Sequence, residues 1–448
     1  VPLAPLLGTS AIAAVIAQMR PRCCIFDEAL RPEIESALAR SGSTLIALRA
    51  QGRPPGALLY HDVLASRSTA ALPREVADGH PALIVHTSGS EGRPKAITMS
   101  HGELRVFIEH NALLYEQFIE PDTAPEAAGP YVLVLPPSHL GGLGICLQGS
   151  FAARRICMLS YFVPETFLKL IEQQRVSLVS LVPSMYRSLL QDPYLQRADL
   201  TSLRFCITLG EPCSAELARQ IETGLGATVV SAYGMTECLS GLGHKSADLF
   251  NGGVKHGSCG THCFGEIKLL DENGNPHPDF GEMWVRNPTV HRCYPDPTLD
   301  SSRFRDGWFR TKDLFFRDRD GHFFHRGRCD DMFICNGKNV YPAEVERVLL
   351  EHPYVDTVVA APVTRADSSL LVGVLVRVSQ PTSESDIIHF CARCGQSHAI
   401  PGIVRFIEEF PQAGPGKLDR IASRRLLQDA YGARMSSIAP AGAAASSD

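Results

Sequence analysis

Val85-His86-Thr87-Ser88-Gly89-Ser90-Glu91-Gly92-Arg93-Pro94-Lys95-Ala96 is the stretch whose reading decides the fold. The apolar run Ala82-Leu83-Ile84-Val85 that leads into it has the composition of a strand. Pro94-Lys95-Ala96-Ile97-Thr98-Met99 reads as a second strand. Between them lie hydroxyls, two glycines and a lysine. Such residues hold phosphates: glycine lets the backbone approach an anion, hydroxyls donate hydrogen bonds and lysine supplies a point charge. The common nucleotide-binding loop instead runs Gly-Lys-Ser/Thr into a helix. Here Pro94 separates glycine from lysine, so a hairpin tip is expected rather than a helix cap. A Gly/Ser-rich turn on its own is more often only a turn. Its companions along the chain decide the matter.

At 448 residues the chain is longer than one compact core usually carries, so two or three domains are expected. It is 44% hydrophobic and 20% charged, as an ordinary soluble globular protein is. A net charge of -5 gives no reason to expect nucleic acid or an anionic membrane as partner, and no apolar run reaches the length of a membrane span. The fourteen cysteines are scattered, and Cys391-Ala-Arg-Cys394 lacks a second pair at zinc-site distance. Reduced thiols in a cytoplasmic protein are the expectation. The opening residues are apolar without a basic leader, so no signal peptide is expected.

Hydrophobic periodicity predicts a helix over 9–19 and a strand over 23–26. Ser100-His-Gly-Glu103 has the form of a capping box at the head of a helix. Strands are expected at 131–135, 156–159, 176–182, 203–209 and 228–232. Between them fall helices at 140–151, 165–174 and from about Ser214. Alternating units of this kind argue for mainly parallel sheets covered by helices, with ligands beyond the carboxyl ends of the strands. From about Gly252 short strands and turns take over: 266–270, 283–285, 308–310, and an Asp320-Gly321 turn between aromatic-rich strands. A compact α/β pattern follows: helices at 342–351 and 385–394, strands at 357–361, 370–378 and 404–408. The domain boundary is read at Arg328-Cys329-Asp330, giving units at 1–328 and 329–435. The Ala/Ser-rich end, 436–448, has nothing to bury and is expected to lack order.

Further stretches carry chemistry. Ser231-Ala232-Tyr233-Gly234-Met235-Thr236-Glu237 ends a strand with an aromatic that can stack on a purine, a hydroxyl for phosphate and a carboxylate for Mg²⁺. Asp313, after Trp308-Phe309-Arg310-Thr311-Lys312, can accept hydrogen bonds from ribose hydroxyls. Gly327-Arg328-Cys329-Asp330-Asp331 sets a guanidinium before paired acids, and Pro415-Gly416-Lys417 puts a lysine on a turn. Each has a plain alternative: Glu237 as a solvated helix-start carboxylate, Asp313 and Asp330 as turn formers, Lys417 as a surface lysine, His139 as a satisfied histidine. The ordered set is what chance does not supply.

On these motifs the chain resembles the adenylate-forming superfamily of acyl- and aryl-CoA synthetases, peptide-synthetase adenylation domains and luciferases, from near residue 1 to about Arg425. The resemblance implies an α/β fold. A large N-terminal domain has two α/β subdomains and a small β-rich one, and a small mobile α+β C-terminal domain follows. It implies ATP-dependent adenylation of a small carboxylate, then thioester formation, most naturally with CoA. By position, Thr87, Ser88, Gly89, Ser90, Gly92 and Lys95 match the loop on the β/γ phosphates of ATP. Gly210, Glu211 and Pro212 match an adenine-binding segment, and so do Ser231, Ala232, Tyr233 and Gly234. Thr236 matches a phosphate contact, Glu237 the Mg²⁺ ligand, Asp313 and Arg328 the ribose and phosphate contacts. Asp330 matches the hinge, Lys417 the adenylation lysine, and His139 the residue that gates the carboxylate pocket.

There are departures. Ser90-Glu91 stands where two threonines are usual, Ala96 and Lys312 replace glycines, and the last motif lacks its usual Lys-Thr. The opening segment of the first subdomain is missing, implying a truncated chain or a compact variant. The alternatives are transfer of the acyl group to a pantetheinylated carrier protein, and a non-catalytic nucleotide-binding relative. Amino-acid adenylation is disfavoured, since 136–144 carries no acid for an amine.

Overall fold

The hairpin is there: Pro81–Ser88 runs antiparallel to Pro94–Ser100, with Val85 opposite Ile97 and Thr87 opposite Lys95. The structure, a computed structural model, describes residues 1–3, 9–27, 37–38, 40–48, 56–66, 75–88, 94–116, 129–238, 241–245, 249, 253–290, 301–395, 399–414 and 417–438. The tip of the hairpin, with Gly89, Ser90, Glu91 and Gly92, lies outside them, as do the side chains of Thr87 and Ser88. The capping box closes as its sequence requires. Ser100 N–H donates to Glu103 Oε2 at 2.7 Å, and Glu103 N–H to Ser100 Oγ at 3.3 Å, so helix His101–Glu116 starts with two donors satisfied.

Beyond it, three parallel strands lie in the order Thr228–Ser231, Phe205–Thr208, Leu178–Leu181. Helices Pro164–Gln174, Pro183–Gln191 and Ala215–Leu225 cover them. Phe167, Leu168, Ile171, Tyr186, Leu189 and Ile221 are fully buried in this core. Each such side chain contributes roughly 1.5–3 kcal/mol by leaving water. The one polar atom that Tyr186 brings in is satisfied, its hydroxyl donating to Ile207 O at 2.9 Å. The strand expected over 176–182 is shorter, Leu178–Leu181, with Val176 and Val182 buried just outside it and Val182 heading the next helix. Likewise 131–135 contracts to Tyr131–Leu133. Helix Pro183–Gln191, which the sequence reading left unassigned, begins on a proline whose missing N–H costs nothing at that position.

A five-stranded antiparallel sheet follows. Trp308–Arg317 is its spine, paired with Phe280–Arg286, Phe304–Arg305 and Phe323–Arg328, and Glu266–Leu270 sits outside Phe280–Arg286. The C-terminal sheet sets Leu370–Val378 between antiparallel Val355–Thr364 and parallel Ile403–Phe406. Helices Pro342–Leu349 and Glu384–Cys394 pack on one face, over Val358, Ala360 and Val374. Helix Arg420–Ile438 packs on the other through Leu427, over Val359, Ala361 and Leu375. Both faces are covered, so these strands read as continuous apolar runs. That last helix was not expected, and it carries three residues into the stretch read as lacking order; 439–448 lie outside the described residues. Among the described residues, no helix is long and apolar enough to cross a membrane.

Candidate active site

The parallel strands end level with one another: Ser231, Thr208 and Leu181 are in register. Ser231 and Thr208 share a hydroxyl hydrogen bond of 2.9 Å, and Ala232 N–H donates to Thr208 O at 2.9 Å. Gly210 leaves the central strand with φ +82°, carrying the chain into Glu211 and Pro212 at the same edge. Two of the expected adenine segments therefore emerge side by side.

Tyr233 then turns away to pair with Leu242, and its hydroxyl donates to Asp313 Oδ2 at 2.7 Å. Asp313 comes from the spine of the five-stranded sheet, opposite Arg328 on the next strand. Arg328 Nη1 donates to Asp313 Oδ1 at 3.3 Å, and His325 Nε2 lies 3.6 Å from the same oxygen. Only 5% of Asp313 is exposed. Burial alone would push its carboxyl up, but His325, Arg328 and the Tyr233 hydroxyl more than offset that and hold it below the usual carboxylate range. Tyr233 moves the other way: burial, then the charge of Asp313, keeps its phenol neutral far above the ordinary value. Thr311 fixes the approach. Its hydroxyl donates to Met283 O at 2.7 Å and accepts from Asp313 N–H at 3.1 Å.

Glu237 is 9% exposed, in the turn after Gly234-Met235-Thr236. The next residue pins that turn: Cys238 O accepts from Thr289 Oγ1 at 2.9 Å and from Asn287 Nδ2 at 3.3 Å. His139 is the extended residue that opens helix Leu140–Phe151. The helix can start there because Gly142 passes close to the incoming chain. A Cβ on it would fall 2.4 Å from the carbonyl oxygens of Leu135 and Pro136. Leu140 packs with Val85, Ile97, Phe107 and Phe304, so one apolar cluster ties the hairpin to the helix behind His139 and to the sheet that carries Asp313. Lys95 stands partly buried on the hairpin, beside the buried methyl of Ala96.

From the C-terminal unit, Lys417–Leu418 pairs with Gln412–Gly414; the side chain of Lys417 lies outside the described residues. Arg420, three residues on, grips Glu346 through two hydrogen bonds of 2.7 and 2.8 Å. Glu346 also accepts from Ala360 N–H at 2.9 Å. Its carboxylate raises the Arg420 guanidinium above its ordinary value, and Asp331 and Glu211 add to that. Arg187, pushed down by burial, senses Glu211 together with Arg377 and Asp356 of the C-terminal sheet. The charge of Glu211, in an expected adenine segment, thus reaches Arg420, three residues from Lys417. No local pattern marks His325 or Glu346, and Thr311 and Arg420 stand inside motif stretches in which only Asp313 and Lys417 carry an expected role.

The sequence model described as AMP-binding enzyme matches residues 1–295. Feruloyl-CoA synthase from an Amycolatopsis species is 32% identical over 415 residues, covering 88% of this chain and 81% of that protein. Indoleacetate–CoA ligase from Aromatoleum aromaticum is 30% identical over 395 residues, 86% of this chain and 74% of that protein. Among solved structures, ATP-bound MatB from Rhodopseudomonas palustris superposes with a TM-score of 0.82 at 26% identity, over 96% of this chain and 84% of that one.

Proposed function

The chain belongs to the AMP-binding enzymes, and from that premise we propose that it is an AMP-forming acid–thiol ligase. Its substrate is a small carboxylate that it joins to the AMP of ATP with release of pyrophosphate and then passes to CoA. The relatives named above act on feruloyl and indoleacetate groups, and an aryl-bearing acid is the substrate class proposed here. Neither a carrier-protein acceptor nor a non-catalytic role is favoured by such relatives. The observation that carries the reading is Asp313, kept ionised at 5% exposure between Tyr233, His325 and Arg328 beside the parallel strand ends.

In this reading the carboxylate attacks the α-phosphate of ATP, and pyrophosphate leaves. The acid is already ionised, so little proton transfer is needed; positioning and charge neutralisation dominate. Thr87, Ser88, Gly89, Ser90, Gly92 and Lys95 hold the outer phosphates. Gly210, Glu211, Pro212, Ser231, Ala232, Tyr233 and Gly234 frame the adenine, Asp313 takes the ribose hydroxyls, and Arg328 and Thr236 contact phosphate. His139 borders the acyl group, and Lys417 offsets charge growing on the α-phosphate. Glu237 would hold Mg²⁺ through its carboxylate, and the ion, when bound, would supply charge neutralisation. The C-terminal unit then turns about Asp330, and the CoA thiol displaces AMP.

ATP–pyrophosphate exchange with a panel of aryl and aliphatic carboxylates tests this, followed by CoA thioester formation without any carrier protein. Exchange with no acid on the panel would sink the adenylation reading. Exchange without CoA thioester would sink the acceptor. Within the same assay Glu237→Gln should retain ATP binding yet need about tenfold or more Mg²⁺ for half-maximal exchange, since an amide is a poorer ligand for a hard cation. Wild-type Mg²⁺ dependence would take Glu237 out of the metal site.

A further inference from the structure

We propose that Lys312 is a positioning residue that latches Asp330 and so biases the enzyme toward the arrangement that forms acyl-AMP; this rests on the reading of Asp330 as the turning point. Three observations carry it. Lys312 Nζ lies 3.0 Å from both Asp330 oxygens, a symmetric grip across the join between the five-stranded sheet and the C-terminal unit. The backbone at Lys312 is left-handed, φ +62°, which L-residues other than Gly, Asn and Asp seldom adopt. A lysine here accepts a conformation that suits glycine, and the ammonium at Asp330 is what the position gains. Third, the spine strand bulges at this point. Glu282 faces Leu314 and Trp284 faces Arg310, so Thr311, Lys312 and Asp313 together oppose Met283.

A bulge re-aims side chains. Here Asp313 goes inward to Tyr233 and Arg328 while Lys312 goes outward to Asp330. Arg328 approaches both acids, 3.3 Å from Asp313 and 3.9 Å from Asp330. Ribose site and hinge thus share one strand and one arginine. The latch is closed in this structure, in which Lys312 holds Asp330 and the charge of Glu211 reaches Arg420. Opening it would favour rotation.

Lys312 and Asp330 are 28% and 39% exposed, so solvent screens the pair and its effect is roughly two- to fivefold. The test measures two half-reactions of the full chain separately: pyrophosphate exchange with an accepted carboxylate, and thioester formation from supplied acyl-AMP and CoA. Lys312→Asn keeps a residue that tolerates the left-handed backbone and removes the charge; Lys312→Gly also relieves the backbone; Lys312→Arg keeps the charge. Asn and Gly should each raise the ratio of thioester formation to exchange about two- to fivefold, an increase that 0.5 M salt reproduces in the wild type, while Arg restores the wild-type ratio. An unchanged ratio in Lys312→Asn, with the half-reactions split by Asp330→Pro, overturns the latch alone. No split in either variant removes the hinge and the latch with it. A ratio shifted equally by Arg and Asn overturns the charge as its cause.

Discussion

Replacing Lys417 with alanine is expected to slow acyl-AMP formation by roughly 10²–10³-fold, the usual cost of losing one preorganised electrostatic group. The same variant should still convert supplied acyl-AMP and CoA to thioester near the wild-type rate. The split follows from where the residue sits. Lys417 lies on a short hairpin against Gln412–Gly414, and that hairpin runs straight into the Arg420–Glu346 clamp. Both terminal guanidinium nitrogens and both carboxylate oxygens engage, and Glu346 is further tied to Ala360 N–H in the sheet. A bidentate pair of this kind fixes direction as well as distance. In the proposed two-arrangement mechanism the lysine would move with the C-terminal unit as one body, present for the first half-reaction and carried away for the second. Loss of both half-reactions, or of neither, would refute the two-arrangement mechanism.

What could be read from the residues was local. The hairpin, the capping box at Ser100 and Glu103, and the alternation of strand and helix through 131–232 follow from period, cap and turn chemistry within a few positions, and the structure has them. The expected phosphate loop and Lys417 rest on motif order, and, Lys95 apart, the side chains that would bind sit outside the described residues. What could not be read is long-range pairing. Tyr233 and Asp313 are 80 residues apart, and Arg420 and Glu346 74 apart; no periodicity links them. Lys312 shows the limit most clearly. In the sequence it is only a lysine where the motif it resembles has glycine. Its φ and its partner turn a departure from a motif into a contact with Asp330, the proposed hinge. Helix Arg420–Ile438 was missed for a related reason: the apolar residues that bury it, such as Leu427, are outnumbered by arginines and small residues on its exposed side.

Asp313→Asn should cost about 3 kcal/mol of stability, the lower end for breaking a buried charge pair, because Arg328 is 38% exposed and can recover water. The asparagine leaves Arg328 without the nearer of its two counter-charges, and its amide nitrogen cannot donate to the guanidinium. The loss should depend on pH in one direction. The folded carboxyl titrates below its unfolded value, so its stabilisation is complete above about pH 4, the unfolded range, and fades as pH falls through the folded pKa. Denaturant melts of wild type and variant should therefore differ fully at neutral pH and converge in acid. The nucleotide supplies the second readout. If Asp313 accepts the ribose hydroxyls, losing one charge-assisted hydrogen bond raises the Kd for ATP roughly 10- to 100-fold. Tyr233→Phe separates the two roles. It removes the 2.7 Å hydrogen bond that orients the carboxylate yet keeps the ring, so ATP binding should weaken by less than tenfold while the acid dependence of stability persists. A variant at Asp313 that loses stability but binds ATP normally would make the residue a buried tie between strand end and sheet, and nothing more.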